Sequence, residues 1–209
     1  MDLTDYSKQQ SWSIICNTTL QNYINMEKRL NYRKKYSNII VPYYSISLIV
    51  SSLTPKFFSS YCSNLSEYFN IVLSVIILTY SLIVANANYG QRIDKVTHSV
   101  NQLKTLKRTI SNDLEDFKKK YYEITDNTEF RSDTDFFNTV KQLCRQNNIS
   151  WYSKIKDISP DSEIKVNLIS YLSEANRFAN EIKILSLFFI DAFVAIIPIL
   201  CITVCFVIK

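Results

Sequence analysis

The sequence predicts an all-α integral membrane protein, and three observations lead to that fold class. The 209 residues include a single glycine, Gly90, whereas tight hairpins and positive-φ turns favour glycine, so a turn-rich β architecture is disfavoured. Hydrophobic residues make up 47% of the chain and are segregated into long uncharged runs. After the second of these runs, apolar residues follow a heptad spacing that is typical of a long packed helix.

Three apolar runs are long enough to span a membrane, because a bilayer core about 30 Å thick takes roughly 20 helical residues. The strongest run covers 184–208 and contains one charge, Asp191. A second run predicts a span over 68–88, and a shorter, serine-richer run predicts a span over 39–58. We therefore expect a transmembrane helical hairpin and a third, C-terminal transmembrane helix. The alternatives are a surface-lying amphipathic segment for the first run and a buried core helix for the last.

Basic residues on either side of the hairpin predict its orientation, because short cytoplasmic segments are enriched in lysine and arginine. The basic residues before the first span and after the second are Lys28, Arg29, Arg33, Lys34, Lys35, Arg92, Lys95, Lys104, Lys107 and Arg108. This rule places the N-terminus and the central region in the cytoplasm and the C-terminus outside. The alternative is a nucleic-acid patch, but these charges lie next to the membrane without interleaved aromatics, so we predict no direct nucleic-acid binding.

The cytoplasmic part is predicted to consist of helices that pack along one seam. An N-terminal helix is expected over 10–37 and a long heptad helix over 91–124, with a further helical region over 141–183. The seam of the heptad helix contains Ile93, Val96, Val100, Leu103, Lys107, Ile110, Leu114 and Phe117. Lys107 is the one charged residue in this set, and at a core position it would specify register or oligomeric state. The seam is a candidate oligomerisation surface; the alternative is packing against the N-terminal helix of the same chain, antiparallel to it.

Residue types exclude most catalytic and cofactor sites. Phosphate-binding loops need several glycines, and catalytic triads would have to use the only histidine, His98, which the helical pattern places on a solvent face. The five cysteines are odd in number and form no Cys-x-x-Cys pair, so a disulfide framework is disfavoured. We therefore predict no catalytic, cofactor-binding or metal-binding residues, no cofactor and no enzymatic activity.

Polar residues inside the predicted spans are the candidates for function in the membrane. Asp191 is an ionisable group at membrane depth, and Ser47, Ser51 and Thr54 form a hydroxyl stripe on one face of the first span. Such groups could line a conduit. The alternatives are helix–helix contacts for the hydroxyls and a position near the interface for Asp191. Pro198 is compatible with a span only if neighbouring groups satisfy the carbonyl that it leaves without a helical donor.

Several segments together resemble a known family. The basic RLNYRKKYSN before YYSISLIVSSL, and LSVIILTYSLIVANANYGQRIDKVTHSVNQLKTLKRTI after it, resemble the SLATT domain, the SMODS- and SLOG-associating two-transmembrane effector domain. YYEITDNTEFRSDTDFF looks like a shortened form of the family's later pattern, with Asn127, Thr128 and Glu129 where that pattern has Asn-His-Ser. We assign 1–140 to the SLATT-like region, and the added C-terminal span is similar to that of the reverse-transcriptase-associated subfamily.

The resemblance implies an effector of bacterial anti-phage or other conflict systems. Such effectors are expected to be multi-pass proteins of the inner membrane that contact lipid, form homo-oligomers and permeabilise the membrane when a partner senses infection. The partner would be a reverse transcriptase or a nucleotide second-messenger synthase. The alternative function is a non-conducting anchor or scaffold that recruits a soluble partner through an aromatic and basic surface, made of Tyr121, Tyr122, Trp151, Tyr152, Lys154 and Lys156.

Overall fold

The computed structural model describes residues 3–108, 114–151 and 174–207, and in these ranges it contains helices and no strand. The helices are α1 (Leu3–Phe57), α2 (Ser63–Asn86), α3 (Tyr89–Arg108), α4 (Leu114–Asp126), α5 (Asp133–Gln146) and α6 (Glu174–Val207). Within the described ranges, three helical stretches are long and apolar enough to cross a membrane: one in α1, one in Ser63–Arg108 and one in α6. The predicted all-α membrane fold is therefore confirmed.

Helix α1 contains both the predicted N-terminal helix and the predicted first span. Its 55 residues run without interruption through Pro42 and end shortly after Pro55. The change from polar to apolar composition near residue 38 does not end the helix, because both compositions suit helical backbone once each is packed in its own environment.

The break between α2 and α3 is made by an asparagine. Asn88 has a φ of 45°, in the left-handed region that asparagine tolerates better than most residues, whereas Gly90 has no positive φ. The N–H of Ala87, the C-cap residue of α2, donates to the carbonyls of Ile83 and Val84. The chain thus ends its second apolar helix without using its only glycine.

The chain divides into two compact units. Unit 1 comprises Met1–Asn31 and Gln91–Ile184, and unit 2 comprises Tyr32–Gly90 and Leu185–Lys209. Helices α1 and α6 contribute residues to both units.

In unit 1 the N-terminal half of α1 packs antiparallel against α3, which is the alternative that the sequence analysis left open for the heptad helix. The Cys16 thiol lies 4.0 Å from the Leu103 carbonyl, and the Thr97 hydroxyl donates to Glu27 at 2.6 Å. Low residue numbers in α1 therefore lie beside high numbers in α3. The buried side chains of this core include Leu20, Met26, Leu30, Val96, Val100, Leu103, Leu106, Phe117 and Val140.

The heptad seam is buried inside unit 1 of a single chain. Its members Ile93, Val96, Val100, Leu103 and Phe117 are buried and Leu114 is half-buried, whereas Ile110 lies outside the described residues. This arrangement favours the alternative in which the helix packs on its own chain. An oligomer formed through the seam would require unit 1 to open.

The expected core position of Lys107 is wrong. Lys107 is exposed, and its amine donates to the side-chain Oδ1 of Asn17 at 2.8 Å, while the preceding residue, Leu106, is buried. The buried face of α3 is wider than a heptad seam and includes Ser99 beside Leu106. At the end of α3 a long lysine stem can therefore carry its charge out of the packed face to solvent.

Unit 2 contains the second half of α1, helix α2 and most of α6. Its small buried cluster consists of Ile40, Tyr44 and Leu73, with Val194 and Ile197 of α6 packed against it. Many of its large apolar side chains face outward, as is required of helices that contact lipid tails; examples are Ile46, Ile49, Ile71, Leu78, Leu82, Phe188, Phe189 and Phe193.

Candidate functional site

The most unusual site in unit 2 surrounds Asp191, the one charge of the third predicted span. Asp191 is buried, and its Oδ1 accepts from Nη1 of Arg33 at 3.0 Å. The Tyr32 hydroxyl donates to Oδ2 of Asp191 at 3.3 Å. An isolated carboxylate is costly to place in lipid, so the neighbouring guanidinium and hydroxyl compensate for that cost.

A second tyrosine binds the backbone at the same place. The Tyr36 hydroxyl donates to the Asp191 carbonyl at 2.6 Å, and the rings of Tyr32 and Tyr36 stack with centroids 6.2 Å apart. Tyr32 and Tyr36 are four residues apart in α1, so helical periodicity brings both to one face with Arg33 beside them. We call Tyr32, Arg33, Tyr36 and Asp191 the polar clasp.

The proline of α6 is satisfied by α1 in the way that the sequence requires. Pro198 has no N–H, so the carbonyl of Val194, four residues earlier, has no helical donor. The Tyr44 hydroxyl donates to that carbonyl at 2.7 Å, and the Tyr43 hydroxyl donates to the Ala195 carbonyl at 3.0 Å. The expectation that neighbouring groups satisfy the freed carbonyl is confirmed.

Pro55 of α1 shows the same arrangement with α2 as the donor helix. It leaves the Ser51 carbonyl without a helical N–H, and the Ser66 hydroxyl donates to that carbonyl at 3.2 Å. Because the Ser66 proton is then committed, the Ser51 hydroxyl donates in turn to the Ser66 oxygen at 3.1 Å. The Tyr61 hydroxyl lies 3.3 Å from the Ser51 hydroxyl and completes this buried circuit.

The predicted hydroxyl stripe is buried between helices. Ser47 donates to the Tyr43 carbonyl at 2.9 Å and Thr54 to the Val50 carbonyl at 2.7 Å, within α1 itself. Together with the contacts of Ser51, these bonds satisfy the stripe inside a packed unit. In this structure the geometry of the three hydroxyls is that of a helix–helix contact.

Helix α6 is also held at its C-terminal end. The Cys62 N–H, in the connection between α1 and α2, donates to the Cys205 carbonyl at 3.0 Å. The Phe206 ring packs edge-on against Phe58 and Tyr61, with centroids 5.8 and 4.8 Å apart. Residue numbers in α1 and α6 increase together along the contact, so the two helices are parallel.

Unit 1 contains a separate polar network, on residues of the YYEITDNTEFRSDTDFF segment. Asp135 is almost fully buried and forms a capping box at the start of α5 with the N-cap residue Ser132. Its Oδ1 accepts from Nε of Arg29 and its Oδ2 from Nη2 of Arg29, each at 2.9 Å. Further pairs in this network are Asn25 with Thr139, Thr19 with Tyr121, Ser99 with Thr128 and Arg92 with Glu129. These contacts connect α1, α3, α4 and α5, which gives the network a structural role.

Burial changes the acid–base behaviour of several unit 1 side chains. It raises the pKa of the Tyr121 hydroxyl, although the hydrogen bond between Tyr121 and Thr19 lowers that pKa. It also raises the pKa of the Cys16 and Cys144 thiols, against the influence of the nearby Lys107 and Arg177 charges respectively. These groups therefore stay protonated at neutral pH and act as packed neutral groups.

Between α3 and α4, unit 1 has an open groove of about 860 Å³. His98 lies on its wall and is exposed, as predicted, together with Lys95 and Glu123. Phe130, four residues after the end of α4, is almost completely exposed.

The sequence pointed to Asp191 but not to its partners. Arg33 counted only toward the orientation of the hairpin, and the tyrosines of YRKKYSNIIVPYY had no assigned role. A usable signal was present, because Tyr32, Tyr36, Tyr43 and Tyr44 recur at helical spacing on either side of the start of the first span. What the pattern could not supply was the partner helix, 158 residues away at Arg33–Asp191.

A family model for SMODS and SLOG-associating 2TM effector domain family 5 matches residues 7–154, which include α1 from residue 7 onward and the whole of α2 to α5. The chain belongs to this SLATT family. It is therefore a membrane effector in conflict systems. The effector domains of this family associate with SMODS and SLOG partner systems, and the family is not a known enzyme family. No curated protein and no solved structure matches the chain.

The matched segment ends before α6 begins. The polar clasp thus joins Arg33, Tyr32 and Tyr36 of the SLATT segment to Asp191, which lies beyond it. The SLATT hairpin of this chain has a third apolar helix docked on it through charged and hydroxyl groups.

Proposed function

We propose that this SLATT protein oligomerises in the bacterial inner membrane and permeabilises it when a partner sensor activates the chain. The observation that supports this most is the Arg33–Asp191 ion pair, 3.0 Å long, in a unit whose outer surface is apolar. Charges at membrane depth are expensive and commonly mark an ion path. The orientation in the proposal has the N-terminus and central region in the cytoplasm and the C-terminus outside.

The hydroxyls of the first span add to this proposal. Ser47, Ser51 and Thr54 lie on the same helix as Arg33, and their present bonds are local or reach the next helix. In an assembly of several copies, rotation of α1 would turn this face toward a shared axis. We propose these three residues and Asp191 as the groups that line the conduit.

The oligomer contacts of the proposal lie on unit 2. The seam residues that the structure describes are already packed within unit 1, apart from the exposed Lys107 and the half-buried Leu114. Helix α2, by contrast, buries only Ser66 and Leu73 among its residues and presents a broad surface to a neighbouring copy. The activating partner is proposed to be a reverse transcriptase or a nucleotide second-messenger synthase.

The second candidate function is a non-conducting scaffold, favoured by the groove between α3 and α4 and by the exposed Phe130. The aromatic and basic surface predicted for it is partly wrong. Tyr121 and Trp151 are buried in unit 1, Tyr122 is exposed, and Tyr152, Lys154 and Lys156 lie outside the described residues.

Induced expression in bacteria distinguishes the two functions. Permeabilisation predicts loss of membrane potential, followed with a voltage-sensitive dye, when the chain is produced with its activating partner. In planar bilayers, Asp191→Asn is then expected to change the cation-to-anion selectivity of the current. Cells that keep their potential at high expression with the partner present would support the scaffold. Unchanged selectivity in an intact assembly would exclude Asp191 from the conduit.

A further inference from the structure

Helix α6 contacts α1 through groups that lipid cannot replace. The Asp191 carboxylate and carbonyl accept from Arg33 and Tyr36 at 3.0 and 2.6 Å, and the Val194 carbonyl accepts from Tyr44 at 2.7 Å. Hydrocarbon offers no hydrogen bonds, so each of these groups would lose its partner if α6 left this face of α1. The contact is therefore specific for one helix surface, and general apolar packing would not reproduce it.

The recognising face of α1 is built for a particular kind of partner. It supplies one guanidinium at Arg33 and, one to three turns further along, tyrosine hydroxyls at Tyr36, Tyr43 and Tyr44. A parallel helix fits this face when it has an acid that is followed, two turns later, by a proline that frees a carbonyl. Helix α6 has both, in Asp191 and Pro198.

We propose that α6 acts as a latch on the SLATT hairpin. While the polar clasp holds α6 against α1, the unit does not conduct, and when α6 is released, the face of α1 that carries Arg33, Tyr36, Tyr43 and Tyr44 becomes exposed. The exposed face then lines water in an assembly of several copies. The second step rests on the permeabilising function proposed above, whereas the first, the docking of α6 by the clasp, stands on the contacts alone.

The physical basis is a balance between packed and released states. In the latched state Arg33 and Asp191 compensate each other, with side chains about 29% and 12% exposed. Removing one charge leaves the other unpaired in a poorly hydrated site, which raises the free energy of the latched state. Exchanging the two charges restores the pair and should restore the latch.

A native thiol reports release without any need for leakage. Cys205 of α6 is fully buried, and its backbone carbonyl is bonded to the Cys62 N–H. The full-length protein, purified in detergent micelles, is reacted with N-ethylmaleimide, and modification at Cys205 is followed by mass spectrometry. The variants are Arg33→Asp, Asp191→Arg and the double exchange. The matched control is Lys35→Asp, which makes the same charge change as Arg33→Asp at an exposed position.

The latch predicts that each single variant accelerates labelling of Cys205 by about tenfold or more. The double exchange should return to within about threefold of the wild-type rate, and Lys35→Asp should match the wild type. Equal rates in all chains would overturn the latch. A double exchange as fast as the single variants would overturn the pairing of Arg33 with Asp191.

A variant without a charge change guards against general misfolding. Tyr44→Phe removes only the hydroxyl that satisfies the Val194 carbonyl, and Tyr68→Phe makes the same change at an exposed tyrosine of α2. We expect Tyr44→Phe to label about threefold faster than the wild type and Tyr68→Phe to label at the wild-type rate. Helicity by circular dichroism should be unchanged in both. Equal rates for the two tyrosine variants would overturn the contribution of Pro198 and Tyr44.

The same proteins in dye-loaded liposomes separate the latch from the permeabilising function. Faster labelling together with faster dye release supports both proposals. Faster labelling with sealed liposomes keeps the latch and rejects permeabilisation by release of α6 alone. Dye release that rises in Arg33→Asp while labelling of Cys205 stays at the wild-type rate rejects the latch and leaves permeabilisation standing.

Discussion

The two units of the chain are built on opposite rules, although α1 and α6 contribute to both. Unit 1 buries apolar side chains such as Leu103 and Phe117, whereas unit 2 exposes large apolar side chains such as Leu82 and Phe188. Both units also bury hydroxyls and an acid, Asp135 in unit 1 and Asp191 in unit 2, so the contrast between the units lies in their apolar side chains. The difference teaches that the solvent decides what is buried: water drives apolar groups inward, and lipid drives polar groups inward.

The largest expected difference between the two units is the effect of removing a phenylalanine ring from each. Phe117→Ala in unit 1 should lower the free energy of unfolding by about 3–5 kcal/mol, because it leaves a cavity in a packed core. Phe188→Ala, at a side chain that is exposed in unit 2, should cost less than about 1 kcal/mol. Unfolding in micelles is followed by circular dichroism and by the fluorescence of Trp12, whose ring lies 6.3 Å from that of Phe117. Equal losses would contradict the assignment of the two interiors.

The second test compares a buried acid with a surface acid inside unit 1. Asp135→Asn should cost about 2 kcal/mol, because the carboxylate is almost fully buried and Arg29, itself about one third exposed, keeps its charge without a partner. Asp116→Asn breaks a surface pair with Lys120 and should cost no more than about 0.5 kcal/mol. The measurement is the shift of the denaturation midpoint for each variant. Similar shifts would mean that the Arg29–Asp135 bonds add nothing beyond a surface ion pair.

A smaller effect is expected from the hydroxyl that satisfies the proline of α6. Tyr44→Phe should cost about 1 kcal/mol in the native background, because the Val194 carbonyl loses the hydroxyl donor that replaces the missing N–H of Pro198. In a Pro198→Ala background a helical N–H becomes available, so the same change should cost clearly less. Unfolding by titration with a denaturing detergent measures the cost of Tyr44→Phe in each of the two backgrounds, which completes a double-mutant cycle. Additive effects would contradict the coupling between Pro198 and Tyr44.

The smallest effect concerns thiol reactivity in unit 1. Burial raises the pKa of Cys16 and Cys144, so at pH 8 less of each thiol is ionised than in the unfolded chain. Alkylation by iodoacetamide requires the thiolate, and both residues should therefore react slowly until unit 1 unfolds. Mass spectrometry of native and denatured samples, with rising pH, gives the comparison. Equal native and denatured rates would argue against burial of the two thiols.

The sequence predicts elements better than it predicts their partners. Apolar runs of sufficient length are a local property, which is why the spans follow from pattern alone, whereas the pattern left the packing of α1 on α3 as the alternative to an oligomerisation seam. The break at Asn88 was harder to foresee, since asparagine is only one of several residues that tolerate a positive φ. Lys107 was misplaced because a fixed heptad ignores the drift of an ordinary helix and the reach of a lysine stem.

The partner of Asp191 needed the folded chain. An intramembrane acid indicates that some group must compensate it, but positive residues near a membrane also follow from the orientation rule, so Arg33 had two explanations. Only the arrangement of α6 beside α1 selects between them. The same holds for the Tyr44 hydroxyl and the Val194 carbonyl that Pro198 leaves without a helical donor, because their contact joins residues 150 positions apart.

The most direct measurement of the central claim is release of a small dye and of ions from liposomes over a range of protein-to-lipid ratios. The wild-type chain and Arg33→Asp are compared at equal reconstitution. An assembly of several copies that permeabilises once α6 is released predicts that release from Arg33→Asp liposomes rises more steeply than in proportion to protein density, whereas the wild-type chain, which has no activating partner in this assay, releases far less at the same density. Liposomes that stay sealed with both chains at every density would contradict the account.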